Sequence, residues 1–248
     1  MEQEILLSLI LPAYNEEKRL PECMEKVAKF IKQRGEPIEV LLVENGSHDR
    51  TYEMALEYAK KYPWLKVFHE ETPGKGNAVR RGMLEGRGKY RMFADVDFSM
   101  PIDEISRFIP PELSDYQVAI GSREVKGAVR YNEPATRHFT GRVFNLIVRI
   151  LLGLPGIHDT QCGFKSFSAE AAEKLFSVQR INGWAFDAEV LFLAKQYGYK
   201  IIEVPVQWYY DGNSKINVLQ DSIKMFRELL QIRENHRKGM YRQVKSKK

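Results

Sequence analysis

Over the first hundred residues, short apolar runs alternate with stretches of helical period. "ILLSLILP" (5–12) is apolar at successive positions, which suits a strand covered on both faces better than one with a wet side. Behind it, Leu20, Met24, Val27 and Ile31 recur at helical spacing, with Pro21 near the start and Gly35 at the end, and predict a helix. The alternation continues with strands at 38–44, 65–69 and 90–95 and helices from about 50 to 61 and 75 to 84. Repeated β–α units of this length predict an α/β fold, a Rossmann-like, mainly parallel central sheet flanked by helices.

Beyond Asp97 the pattern loosens. A strand is expected at 116–123, helices at 137–152 and 183–198, and an extended segment at 200–210 that Pro205 demotes to an edge or bulge. The stretch 217–234 reads as a final amphipathic helix with Val218, Ile223, Phe226, Leu229 and Leu230 as its apolar positions. The chain therefore divides into a main unit, 1–212, and a C-terminal helix with a basic tail, 213–248. Within the main unit the ligand-bearing β–α half is about 1–100 and the second half about 101–212. Between Arg142 and Leu154, Phe144, Ile147, Val148 and Leu151 share one side and Arg142 and Arg149 another. That pattern fits a helix lying in a membrane interface with snorkelling arginines, or a core helix.

Composition excludes several classes. Hydrophobic content of 44% and charged content of 29% describe a globular chain. Cys23 and Cys162 lie far apart without metal-ligand spacing, which fits a reducing compartment and no disulfide framework. No apolar run approaches the ~20 residues of a membrane span, and no signal peptide is expected. The net charge of +5 is uneven. Residues 213–248 hold ten Lys/Arg against three acids, so this end carries +7 and the remainder −2. Such an end suits an anionic membrane surface or simple solvation. Nucleic acid is disfavoured, because apart from Tyr241 no aromatic ring is interleaved with the lysines of the tail.

In doubly wound sheets ligands bind at the carboxyl ends of the strands. Four polar clusters fall there: "PAYNEE", "ENGSHD", "TPGKGN" and "DVD". The Gly-Lys-Gly stretch matches neither phosphate-loop fingerprint, leaving Lys75 and Gly76 as an anion-facing turn at a helix start. Asp95 and Asp97, one residue apart, are either turn punctuation or oxygen ligands for a hard cation shared with substrate phosphates. Cys162 lacks a base partner and reads as a packed residue. His158 and Asp159, being adjacent in extended chain, point apart. Trp184 and Trp208 read as core, Trp184 being kept as a minor sugar-platform candidate.

"LPAYNEE", "VENGSHDRT", "GKGNAVRRGM", "FADVDF", "AIGSR", "DTQCGFK", "GWAFDAEVL" and "SKINVLQDSIKM" occur in this order. From about Leu7 to Met225 the chain resembles the family-2 glycosyltransferases that charge a polyprenyl phosphate. The similarity is nearest to the dolichyl-phosphate β-glucosyltransferases and more distant to the dolichyl-phosphate mannose synthases. The resemblance implies a GT-A fold, a nucleotide-sugar donor (UDP-glucose favoured, GDP-mannose possible), a polyprenyl or dolichyl phosphate acceptor, and Mg²⁺ or Mn²⁺. It assigns Pro12, Ala13, Tyr14, Glu16, Glu44, Asn45, Gly46, Lys75, Gly76, Asp95 and Val96 to the nucleotide sugar. Asp97, with Asp95, falls to the metal. Arg123, Asp159, Gln161, Ser214 and Lys215 match positions around the sugar and the acceptor phosphate. By charge Arg137 is added to the acceptor phosphate, and Asp187 joins Asp159 and Gln161 as a candidate at the reaction centre. Two positions depart from the pattern: Glu44–Asn45 stands where two Asp are common, and Ser99 where some relatives place a third metal ligand.

A phosphate acceptor, with its second pKa near ~6, is already a nucleophile at neutral pH. A hydroxyl acceptor would need a base, for which Asp159 or Asp187 would be the candidates. The expected enzyme works peripherally at the cytoplasmic face of a membrane. The rivals are a transferase to a hydroxyl and a non-catalytic nucleotide-sugar or nucleic-acid binding module.

Overall fold

The computed structural model describes residues 4–211 and 218–241. Ser214 and Lys215, and the basic tail from Arg242 onward, lie outside the described residues. The first half alternates as its pattern predicts: β1 (Leu7–Ala13), α1 (Leu20–Arg34), β2 (Ile38–Glu44), α2 (Thr51–Lys61), β3 (Leu65–His69), α3 (Lys75–Glu85) and β4 (Tyr90–Phe93). Pro21 sits in the first turn of α1, and Gly35 at φ 71° closes it in the left-handed region where glycine carries no Cβ penalty.

The second half begins with a 3₁₀ turn (Ile102–Phe108). It continues through β5 (Val118–Ser122), β6 (Val129–Tyr131), α4 (Ala135–Leu152), β7 (Lys165–Ser168), α5 (Ala169–Val178), α6 (Phe186–Gln196), β8 (Ile201–Pro205), β9 (Gln207–Tyr209) and α7 (Val218–Arg237). Seven strands form one sheet in the order β3-β2-β1-β4-β7-β5-β8, and β6 pairs with β9 in a separate ribbon. All neighbours in the main sheet are parallel except β7, which runs antiparallel between β4 and β5. Pro205 ends β8 at the sheet edge, where the absence of its N–H breaks no ladder.

Both faces of the sheet are covered, and the strands show it by alternation. Leu9, Leu11, Val40 and Leu42 enter one core layer with α1 and α2. Ile10, Leu41 and Val43 enter the other, with α3 to α7. The C-terminal helix packs on the body through Leu229 and Ile232, with Tyr241 beyond its end buried in the same layer. Of the apolar positions expected on it, Leu229 is buried, while Ile223, Phe226 and Leu230 face outward.

Helix α4 places the row read from its spacing against the core, as the core-helix alternative has it. Val148 and Leu152 are its only fully buried residues, and Phe144 and Leu151 pack beside them against the core. The row that faces out is Phe139, Val143, Leu146 and Ile150, with Phe139 69% and Ile150 70% exposed. These four follow the i, i+4, i+7, i+11 spacing of one helix face. Helix α7 packs against α4.

Candidate active site

The carboxyl ends of β1, β2 and β3 are brought level by register, since Ala13 pairs with Glu44 and Glu44 with His69. The loops beyond them are tied to one another by hydrogen bonds. Asn15, at φ 53°, donates its N–H to the Ser47 hydroxyl (2.9 Å) and accepts the His48 N–H at its amide oxygen (2.8 Å). The Glu16 N–H donates to Thr51 Oγ1 at 2.7 Å, and the Glu16 carboxylate pairs with Arg19. Tyr14 is exposed above this layer, edge-on to the His48 ring. Pro12 and Ala13 form the strand end beneath it.

Glu44 is buried, and burial alone would raise its pKa. Hydrogen bonds from Ser47 and from His69 Nδ1 (2.6 Å) win, holding it below the usual carboxylate range. Asn45 is wholly engaged: its amide donates to the carbonyls of Glu70 and Thr72 and accepts from the Gly74 N–H at 2.7 Å. It thereby fastens the turn that carries Lys75, while Gly46 bends the chain at φ 69°.

Asp95, Val96 and Asp97 follow β4. Lys75 Nζ pairs with Asp95 Oδ1 and lies 5.3 Å from the centre of the Trp184 ring. Burial would lower the Lys75 pKa, but Asp95 and Asp187 outweigh it and hold the ammonium charged. Burial and the neighbouring Asp95 charge push the Asp97 carboxyl up, while the Ser99 N–H caps one oxygen at 2.9 Å. The Ser99 side chain also hydrogen-bonds Asp97, and the Ser99 carbonyl accepts from the Tyr209 N–H at 2.7 Å. Two glycines make the arrangement possible. A Cβ on Gly163 would run into the Asp95 carboxylate, and one on Gly76 would meet the Ile181 carbonyl. Among the described residues no three His, Cys, Asp or Glu side chains gather as a metal cage. Two carboxylates that repel each other at the strand edge suit a hard cation completed by phosphate oxygens and water.

On the other side of this edge Arg123 and Asp159 form a bidentate pair, Nε to Oδ2 at 2.7 Å and Nη2 to Oδ1 at 3.0 Å. The Arg123 N–H adds a third bond to Oδ2, at 3.0 Å. Burial opposes ionisation of both groups, yet their mutual attraction drives Asp159 far below the usual carboxylate range and Arg123 higher still. Asp159, named above as a candidate base, is therefore the counter-ion of Arg123. The Arg123 guanidinium lies over Trp208 (5.4 Å), which Arg130 also faces (5.8 Å). Gln161 sits half-buried beside the pair, its N–H donating to Asp159 Oδ1. Arg137, in the first turn of α4, lies 5.1 Å from the Tyr210 ring centre.

Asp187 lies in the first turn of α6, paired at 2.7 Å with Lys165, whose side chain is wholly buried in β7. Lys165 also donates to the Cys162 carbonyl at 2.6 Å. Burial pushes the Asp187 carboxyl up against the pull of Lys165 and Lys75. Burial likewise pushes the Cys162 thiol up to about 12, so it is no nucleophile at neutral pH. His158 turns to Glu203 (2.7 Å) and away from Asp159, as adjacency implies.

Residues 8–176 match the profile of Glycosyl transferase family 2. The chain belongs to that family. Within it, the dolichyl-phosphate beta-glucosyltransferase of Drosophila melanogaster is 37% identical, over 95% of this chain and 77% of the relative. The proteins of the same name from Saccharomyces cerevisiae and Homo sapiens are each 33% identical, over 98% of this chain and 79% of theirs. Among solved structures, glucosyl-3-phosphoglycerate synthase from Mycobacterium tuberculosis shares the fold with a TM-score of 0.66. It is 18% identical and covers 92% of this chain and 80% of its own. That protein was crystallised with Mn²⁺, UDP and glucosyl-3-phosphoglycerate, and also with Mg²⁺ and UDP. This family-2 glycosyltransferase thus has the mostly parallel sheet of the GT-A fold.

Sequence reasoning missed the cations and acids that hold these groups: Lys165 under Asp187, Glu203 under His158 and Asp159, and Arg130 beside Trp208. The one available signal was Lys165 itself, a lysine set in "CGFKSF" among residues that must be buried.

Proposed function

We propose that this glycosyltransferase moves glucose from UDP-glucose to a polyprenyl or dolichyl phosphate, with inversion, at the cytoplasmic face of a membrane. One observation carries the acceptor assignment. Both acids that could serve a hydroxyl acceptor as base are held by cations, Asp159 by Arg123 and Asp187 by Lys165. A phosphate dianion needs no base. The names of the relatives support glucose and dolichyl phosphate.

On this reading Pro12, Ala13, Tyr14, Glu16, Glu44 and Gly46 border the base and ribose, and Asn45 acts through the turn it fastens. Lys75 faces the diphosphate. Asp97, with Asp95, would hold Mg²⁺ or Mn²⁺, which when bound neutralises the departing diphosphate. Arg123 and Arg137, with Gln161 near them, border the acceptor phosphate, and Ser214 and Lys215 belong to the same group by resemblance. One phosphate oxygen attacks C1 of the sugar from the side opposite the nucleotide. The new C1–O bond forms as the bond to the diphosphate breaks, and UDP leaves with the electron pair. Positioning two anions and screening them is the protein's task.

The membrane reading is supported by the outward rows on α4 and α7. Complete burial of a large apolar side chain is worth roughly 1.5–3 kcal/mol, and each of these would gain the share of it that its exposed surface represents. No helix among the described residues is long and apolar enough to cross a bilayer. The rows therefore suit contact with the interface, with the basic C-terminal end beside anionic headgroups. The free, buried cysteines support a reducing compartment.

The test is transfer of labelled sugar from a panel of UDP- and GDP-sugars to polyprenyl phosphate in vesicles with Mg²⁺ or Mn²⁺. Lipid-linked product from UDP-glucose is expected. Product from another donor alone would replace the sugar assignment, and no lipid product from any donor would overturn the acceptor assignment.

A further inference from the structure

The segment 158–161, which carries Asp159 and Gln161, is suspended between two supports of different character. On the sheet side Glu203 of β8 accepts from the His158 N–H (2.9 Å), pairs with the His158 ring and accepts from the Asp159 N–H (3.0 Å). On the other side stands a single residue of α4. Asn145 donates its amide to the His158 carbonyl, and its oxygen accepts from both the Thr160 N–H (3.2 Å) and the Thr160 hydroxyl (2.7 Å). Among the described residues no other α4 side chain hydrogen-bonds to this segment. Asn145 thus grips the chain on both sides of Asp159, the residue whose carboxylate orients Arg123.

The helix that carries Asn145 is lightly held. Two of its eighteen residues are fully buried, and four large apolar side chains face outward. Elements with few buried contacts are those that shift at least cost. Leu146 of the outward row is the immediate neighbour of Asn145 on this helix.

We infer that Asn145 is a positioning residue that couples the seating of α4 on the acceptor's membrane to the Arg123–Asp159 pair. The acceptor-phosphate site is then completed when the enzyme sits on the lipid surface. This rests on the membrane reading proposed above. An amide is suited to the task because it donates and accepts at once, fixing the orientation of the peptide units at 158–159 and 159–160 together.

The experiment compares wild type with Asn145→Ala, using one short-chain polyprenyl phosphate presented in anionic vesicles and in solution. Donor KM, acceptor kcat/KM, vesicle flotation and thermal midpoint are measured alongside. Wild type is expected to float with vesicles and to gain roughly tenfold in acceptor kcat/KM there. Asn145→Ala should float equally and keep its donor KM but lose that gain, since hydrogen bonds of this kind are together worth about a factor of ten. Should that variant fail to fold, Thr160→Val removes one of the same bonds from the segment side and should lower the gain by a smaller factor. Full gain in the folded variants would overturn the coupling while leaving the membrane reading intact. A wild type that neither floats nor gains would overturn the membrane reading and this inference with it.

Discussion

The two halves of the molecule, read as a donor side and an acceptor side, differ in how their acids are held. In the donor half, up to Met100, the loops beyond β1, β2 and β3 are joined through neutral side chains such as Asn15, Asn45, Ser47 and Thr51 and through the accepting carboxylates of Glu17, Glu44 and Asp49. At the end of β4, Asp95 is paired with Lys75, while Asp97 makes no ion pair among the described residues. In the acceptor half, carboxylates are answered by cations inside the protein: Asp159 by Arg123, Asp187 by Lys165, and Glu124 by Arg130. On the proposed function, the cation site keeps one acid, Asp97, without an ion pair, whereas the acceptor-phosphate site has its acid neutralised by Arg123. A diphosphate with its cation on one side and a phosphate on the other would account for both arrangements.

The largest effect should come from the donor side. Asp97→Asn is expected to lower metal-dependent transfer on the order of a thousandfold, the scale seen when a group stabilising transition-state charge is lost. The fold should be unchanged, and Mn²⁺ binding followed by electron paramagnetic resonance should weaken in parallel. Intact Mn²⁺ binding would remove Asp97 from the cation site.

The acceptor side should instead break as a structure. Lys165→Met leaves Asp187 buried with no partner in contact, and urea unfolding should show a loss of about 3–5 kcal/mol. Replacing both, Lys165→Met with Asp187→Leu, should recover much of that stability while transfer remains impaired. If the single variant is as stable as wild type, the buried pair is not what holds this half together.

A smaller effect is expected at the outward row. Ile150→Glu should reduce vesicle flotation about tenfold through the lost transfer energy. The unfolding free energy of the soluble protein should stay within about 0.5 kcal/mol, as for surface substitutions generally. A large loss of stability would mean that Ile150 is covered within the protein.

The two halves also differed in how legible they were. Continuous apolar strands and helical spacing made β1 to β4 and α1 to α3 readable, because each element is long enough to show its period. Strand β7 was not foreseen: "KSFS" is four residues long, without an apolar run, and holds a lysine that only a distant Asp187 makes tolerable. Helix α4 was foreseen, but whether its apolar row meets the core or a membrane was left open. Phe139, Val143, Phe144, Leu146, Ile147, Val148, Ile150 and Leu151 wrap most of its circumference, so spacing alone could not say which row meets the core. Asp95, Asp97 and Lys75 could be named from their strand-end positions. Glu203 and Asn145 could not, since their roles exist only once β8 and α4 flank the segment 158–161.

The claim that most needs testing is that the acceptor is its own nucleophile. Its direct measure is the pH dependence of acceptor kcat/KM for polyprenyl phosphate and for a phosphonate analogue whose second pKa differs. Asp159, ionised far below the usual carboxylate range, should contribute no limb near neutrality. The rate should rise through a single limb near the phosphate's second pKa of ~6 and level off above it. With the phosphonate that limb should move with the analogue's own pKa. A limb that stays at the same pH with both acceptors would belong to a group on the protein, Asp187 first among them, and would contradict the account.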